Sequence, residues 1–92
     1  MKIGDIVRHF KYELNTDEEK TMNKYLYQIK DIAEHTETGE LLVIYQALYH
    51  PFKTYARPMK MFLEEVDYDK YPNIKQKYRF EIYLDANIRH VM

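Results

Sequence analysis

The sequence predicts a mainly β domain built of five to six short strands with one short helical or 3-10 turn. Three observations predict it. Short runs rich in β-branched and aromatic residues recur along the chain, and their faces alternate every second residue. Turn-forming Gly, Pro, Asn and Asp stand between those runs. Pro58 interrupts the pattern ahead of a stretch suited to a single helical turn. A meander of hairpins closing partly on itself explains this most economically, as a small SH3-like open barrel. The rival is an open α+β sheet with one face covered by a helix over residues 12–23.

Gly4 and Asp5 signal a turn, and residues 6–10 read as the first strand. Ile6, Arg8 and Phe10 share one of its faces, Val7 and His9 the other. Residues 12–23 turn polar and acidic and read as a long inserted loop with one helical turn. Within it Thr16-Asp17-Glu18-Glu19 matches a capping box, in which the Thr and Glu side chains each accept from the other's backbone N–H. Residues 24–34 resume strand character. Tyr25, Tyr27 and Ile29 share a face until Ile32 breaks the parity, as a bulge would cause. Residues 35–39 form a turn cluster, where Gly39 can take the left-handed conformation a hairpin loop often requires.

Residues 41–49 are apolar on both faces: Leu41, Val43, Tyr45, Ala47 and Tyr49 on one, Leu42, Ile44 and Leu48 with Gln46 on the other. Such a strand needs cover on both sides. It also allows a homodimer, since uncovered apolar sheet would otherwise meet water. His50 and Pro51 turn the chain, and residues 52–57 return as a strand. Pro58, having no N–H to donate, stops the ladder and opens a helical turn over 58–62. Residues 63–66 are extended again and 67–77 are polar. Residues 78–84 alternate as the last strand, with Tyr78, Phe80, Ile82 and Leu84 on one face. One SH3-like domain is therefore expected over residues 1–84, with 85–92 as a C-terminal tail.

Composition bounds the function. A chain of 92 residues supports one core, and a domain this short buries only ~60–65% of the surface its unfolded chain exposes. Ten tyrosines and four phenylalanines strengthen that core, because a large ring contributes much buried area while a tyrosine hydroxyl stays wet. Lys and Arg number 14 against 15 Asp and Glu, and a net charge of −1 argues against broad electrostatic capture of nucleic acid. The absence of cysteine excludes disulfides, thiolate zinc sites and a cysteine nucleophile. The absence of serine excludes a serine hydrolase. No apolar run approaches the ~18 residues of a membrane span, and the start has no apolar signal segment. A cytoplasmic protein without membrane contact is expected.

His9-Phe10-Lys11, residues 35–40, residues 43–49, and Arg57-Pro58 with Met61-Phe62 just beyond occur in that order. The series resembles a family of small bacterial proteins catalogued as domain of unknown function 1653. The resemblance covers roughly residues 4–66, with a weaker echo at Arg79-Phe80. It implies an SH3-like barrel and no activity. Residues 12–23 look like an insertion where the family runs straight into its second strand. Tyr55 stands where the family generally has tryptophan, which shrinks any aromatic platform there.

The candidate site lies on two neighbouring strands. Tyr45 and Tyr49 share one face of the first, Tyr55 and Arg57 one face of the second. If the register matches, three rings and a guanidinium form one patch, with Gln46 and His9 as further ligand-binding candidates. The arginine fork suits a carboxylate, a phosphate or a backbone carbonyl, and aromatic grooves hold extended peptides. The plain alternative is cross-strand packing for stability. A non-catalytic binding or accessory module for a peptide or small anionic ligand is expected. The enzyme alternative is an acid–base or metal-assisted catalyst using His35 and Glu37. The histidines, with Glu37 and Glu40, supply metal-ligand types but no recognised spacing, so no metal or cofactor is expected. A third reading gathers Arg8, Lys11, Lys53, Arg57, Lys60, Lys75, Lys77 and Arg79 into a basic stripe for single-stranded nucleic acid. The acidic runs weaken it.

Overall fold

The computed structural model describes residues 1–84. Its five strands are β1 (Ile6–His9), β2 (Leu26–Glu34), β3 (Leu41–Ala47), β4 (Thr54–Pro58) and β5 (Phe80–Ile82). All pairings are antiparallel. The order β4-β3-β2-β1-β5 makes one open sheet in which the last strand returns beside the first. No helix among these residues is long and apolar enough to cross a membrane.

Period-two patterning sets the faces. The parity break expected at Ile32 is a register shift between Ile29 and Asp31, after which Ile32 pairs with Val43. The extra residue keeps the apolar rows on both sides of the shift facing one way. Gly39 closes the β2–β3 hairpin at φ 74°, a conformation that costs glycine nothing. The inner row of β3 (Val43, Tyr45 and Ala47) is buried, but Leu42, Ile44 and Gln46 are only half-covered. The expectation of cover on both faces is met only in part: Leu48 is buried with Ile6 and Leu26 in a second cluster, and the rest of the outer row is partly wet.

Pro58 is the last rung of β4, opposite Leu42, and then caps α2 (Met59–Phe62). That sharp change of direction drops Phe62 into the core at 0% exposure. There it stacks on Phe80, with ring centres 4.1 Å apart and planes 5° from parallel. Around this pair gather Val7, Tyr27, Ile29, Val43, Tyr45 and Ala47. A fully buried phenylalanine contributes about 2–3 kcal/mol by removal from water alone.

Several boundaries differ from expectation. The strand at 52–57 starts only at Thr54, because Phe52 sits at φ 60° with its N–H closing a turn onto Tyr49. The extended stretch at 63–66 forms a single bridge, Glu65 to Tyr78. The last strand shrinks to Phe80–Ile82, and of its expected apolar face only Phe80 is buried, with Ile82 46% and Leu84 88% exposed. The tail expected at 85–92 lies outside the described residues.

Residues 12–23 form the expected surface loop with a helical turn inside it, and not the rival helix covering the sheet. A 3-10 turn, Phe10–Leu14, leads into α1 (Asp17–Thr21), whose capping box between Thr16 and Glu19 is complete. α1 buries no residue. Glu13, however, ties the segment down: its carboxylate accepts the backbone N–H groups of Lys75 at 2.9 Å and Gln76 at 2.8 Å.

Candidate functional site

The register of β3 and β4 places Tyr45 opposite Tyr55 and Val43 opposite Arg57. The two faces therefore match. The Tyr45 and Tyr55 rings are 5.6 Å apart and tilted by 32°. Across the sheet, His9 of β1 pairs with Phe80 of β5. The inner face curls so far that Arg57 of β4 lies over the Phe80 ring, 5.6 Å from its centre. Two edges of one sheet thus wall a single concavity.

That concavity has a volume of ≈ 210 Å³. Of the expected residues, His9, Tyr45, Tyr55 and Arg57 line it, joined by Lys11, Tyr25, Tyr27 and Phe80. A second cavity of ≈ 240 Å³ shares His9, Lys11 and Arg57, and adds Phe10, Asp67, Lys70, Tyr71 and Arg79. Two expected residues stand elsewhere. Tyr49 lies behind the wall of the first cavity, its hydroxyl bonded to that of Tyr27 at 2.8 Å, and it lines a separate apolar hollow with Leu48 and Phe52. Gln46 belongs to the outer row of β3, and its amide donates to the Phe52 carbonyl at 3.1 Å. Gln46 holds the turn and is withdrawn from the candidate site, because period-two geometry sends it to the opposite face from Tyr45.

The site's electrostatics follow from burial beside cations. His9 is held well below the usual histidine range, at about 4, first by burial and then by Lys11, Arg57 and Arg79. Its Nδ1 accepts the Lys11 backbone N–H at 3.1 Å. The neutral ring therefore carries its proton on Nε2, as a donor. Burial, reinforced by the Tyr49 hydroxyl, pushes the Tyr27 phenol above its ordinary range. Burial also raises Tyr45, which the neighbouring Arg57 guanidinium pulls back. Near neutral pH the cavity presents hydroxyls, one neutral imidazole and fixed positive charge. Such a set binds anions and hydrogen-bond acceptors.

Among the described residues, neither Lys11 nor Arg57 has a carboxylate partner, whereas Arg8 pairs with Glu13, Lys77 with Glu65, and Arg79 with Glu64 at 3.3 Å. The expected basic stripe is thus split. Lys11, Arg57 and Arg79 meet at the cavities, joined by Lys70; Lys53, Lys60 and Lys75 line neither. His35 and Glu37 stay in the β2–β3 turn, where His35 Nδ1 accepts the backbone N–H of Glu37 at 3.1 Å and of Thr38 at 3.3 Å. Neither lines a cavity that holds His9. Among the described residues no three His, Asp or Glu side chains gather as metal ligands would.

Three residues lining the first cavity escaped the sequence as site candidates: Tyr25, Tyr27 and Phe80. Tyr27 carried a signal, since it falls on the buried face of β2. Tyr25, in the turn before β2 at φ 71°, and Phe80, placed by the β1–β5 pairing, carried none. Lys11 was named only in the basic stripe.

The model of the family described as "Protein of unknown function (DUF1653)" matches residues 5–82. No curated protein and no solved structure matches the chain.

Proposed function

The chain belongs to the family of proteins of unknown function DUF1653, and from that premise, which assigns no activity, we propose that it is a non-catalytic module binding a small anionic group. One observation carries the proposal. Lys11 and Arg57, without carboxylate partners among the described residues, converge with Arg79 on a neutral histidine in the wall shared by the two adjoining cavities. Cations left unpaired in a part-buried concavity gain from an incoming carboxylate or phosphate. A merely structural arginine would be expected to carry its own counter-charge. An acidic peptide side chain and a small free anion offer the same chemistry to this site.

The finer fold assignment belongs to the same reading. An SH3-like barrel is supported by the return of β5 beside β1, by the helical turn of α2 between β4 and β5, and by the contact of Arg57 with Phe80.

Amide-resolved NMR titration with acetate and with inorganic phosphate tests the function. The expected result is saturable shifts at Lys11, Arg57 and the flanking amides, weakened in Arg57→Lys. Shifts that are absent, or that are unchanged in the variant, overturn the proposal.

A further inference from the structure

We propose that the two adjoining cavities form one bipartite site for a nucleoside monophosphate, the tyrosine-walled cavity taking the base and the cationic cavity the phosphate. This rests on the anion-binding reading above and names its ligand class. The two cavities, ≈ 210 and ≈ 240 Å³, share His9, Lys11 and Arg57 as a common wall. A ligand with a planar end and an anionic end can therefore occupy both at once.

The first cavity suits a base. Tyr55 stands at its rim, 40% exposed, and offers a ring face beside that of Tyr45. Stacking on aromatic rings tolerates any base, because every base has a π face. The polar lining then selects a base over a plain phenyl ring. His9 is a donor at Nε2, and Tyr45 carries a hydroxyl beside Arg57. A ring with no hydrogen-bonding edge would cover the His9 Nε2–H without giving it an acceptor, which is costly.

The second cavity suits one phosphate. Lys11, Arg57, Lys70 and Arg79 face Asp67, and Arg79 is already shared with Glu64 at 3.3 Å. Two acidic groups against four basic ones leave two positive charges, which matches a phosphomonoester of roughly −1.5 to −2. Asp67 in the lining and Glu64 on Arg79 already offset part of this positive charge, and a chain of net charge −1 has no long basic track. A polyphosphate or a nucleic-acid strand fits that balance poorly.

The test is calorimetric and NMR titration of the full chain at low ionic strength. The probes are inorganic phosphate, adenosine, the four nucleoside 5′-monophosphates, phosphotyrosine and a short single-stranded oligonucleotide. At least one monophosphate is expected to bind tenfold or more tighter than either phosphate or its parent nucleoside, with shifts at both Tyr55 and Lys70. Tyr55→Ala should weaken the monophosphate and leave phosphate unchanged. Lys70→Ala, at an exposed position, should weaken both, and thermal unfolding confirms that each variant is folded. Phosphate binding with no gain from any nucleotide overturns the bipartite site while the anion-binding reading stands. Phosphotyrosine or the oligonucleotide binding more tightly than every monophosphate also overturns it. No binding by any probe removes both.

Discussion

Arg57 in β4 holds its guanidinium 5.6 Å from the ring centre of Phe80 in β5, although these strands are opposite edges of the sheet. Phe80 is also 5.5 Å from Tyr45 and stacked on Phe62. One buried ring thus gathers β3, β4 and α2 onto β5, and the guanidinium above it roofs the place where the edges approach. Packing and ligand recognition share this arginine.

Arg57→Lys separates the two. The ammonium keeps the charge but loses the planar fork. We expect a stability loss of about 0.5–1 kcal/mol through weaker stacking, read as a lower urea midpoint, together with weaker binding of acetate and phosphate. A variant equal to the wild type in both measurements would remove the role given to the fork.

Phe62 tests the core beneath the site. It is fully buried and stacked on Phe80, so Phe62→Ala should cost about 3–5 kcal/mol. For a domain whose whole stability is roughly 5–15 kcal/mol, that is a large share. Phe62→Leu should cost clearly less. Similar unfolding midpoints for both variants would mean that the ring is not the organising contact.

Glu13 tests whether residues 12–23 are dispensable. Its carboxylate satisfies the backbone N–H groups of Lys75 and Gln76 and lies 3.9 Å from Arg8. Gln76 is itself 4% exposed. Glu13→Ala leaves donors unpaired at a part-buried point and should cost about 1–3 kcal/mol. A short Gly-rich link in place of α1 alone, which buries nothing, should cost less. The reverse order in denaturant midpoints would show that α1 is the anchor.

His9 makes stability depend on pH. Its folded value of about 4 lies below the 6.5 of an unfolded histidine, so the unfolded chain binds the extra proton between those values. Stability is therefore full above pH 6.5 and falls as pH drops towards 4. With the ring partly screened by solvent, the loss is roughly 1–3 kcal/mol. His9→Asn keeps an acceptor for the Lys11 N–H and cannot titrate. Its stability should change less between pH 7 and pH 4.5 than that of the wild type, and parallel curves would refute the assignment to His9.

The sequence by itself determined the local choices. Period two assigned Tyr45, Tyr55 and Arg57 to faces that do match, the lost parity at Ile32 located the bulge, and Thr16 with Glu19 announced the start of α1. Gln46 was legible too, since the same alternation puts it opposite Tyr45. Tertiary structure alone decided the rest. Which carboxylate neutralises which cation depends on pairs brought together by the fold, such as Glu64 and Arg79, and the Glu13 carboxylate reaches the Gln76 backbone N–H 63 residues on. That Phe80 lies beneath Arg57, and that Lys11 stays unpaired beside His9 among the described residues, depends on how far the sheet curls. Alternation records which side of a strand a residue occupies, because that is a property of the local backbone. Curvature brings the two edges of a face together only through the summed packing of the whole core around Phe62 and Phe80.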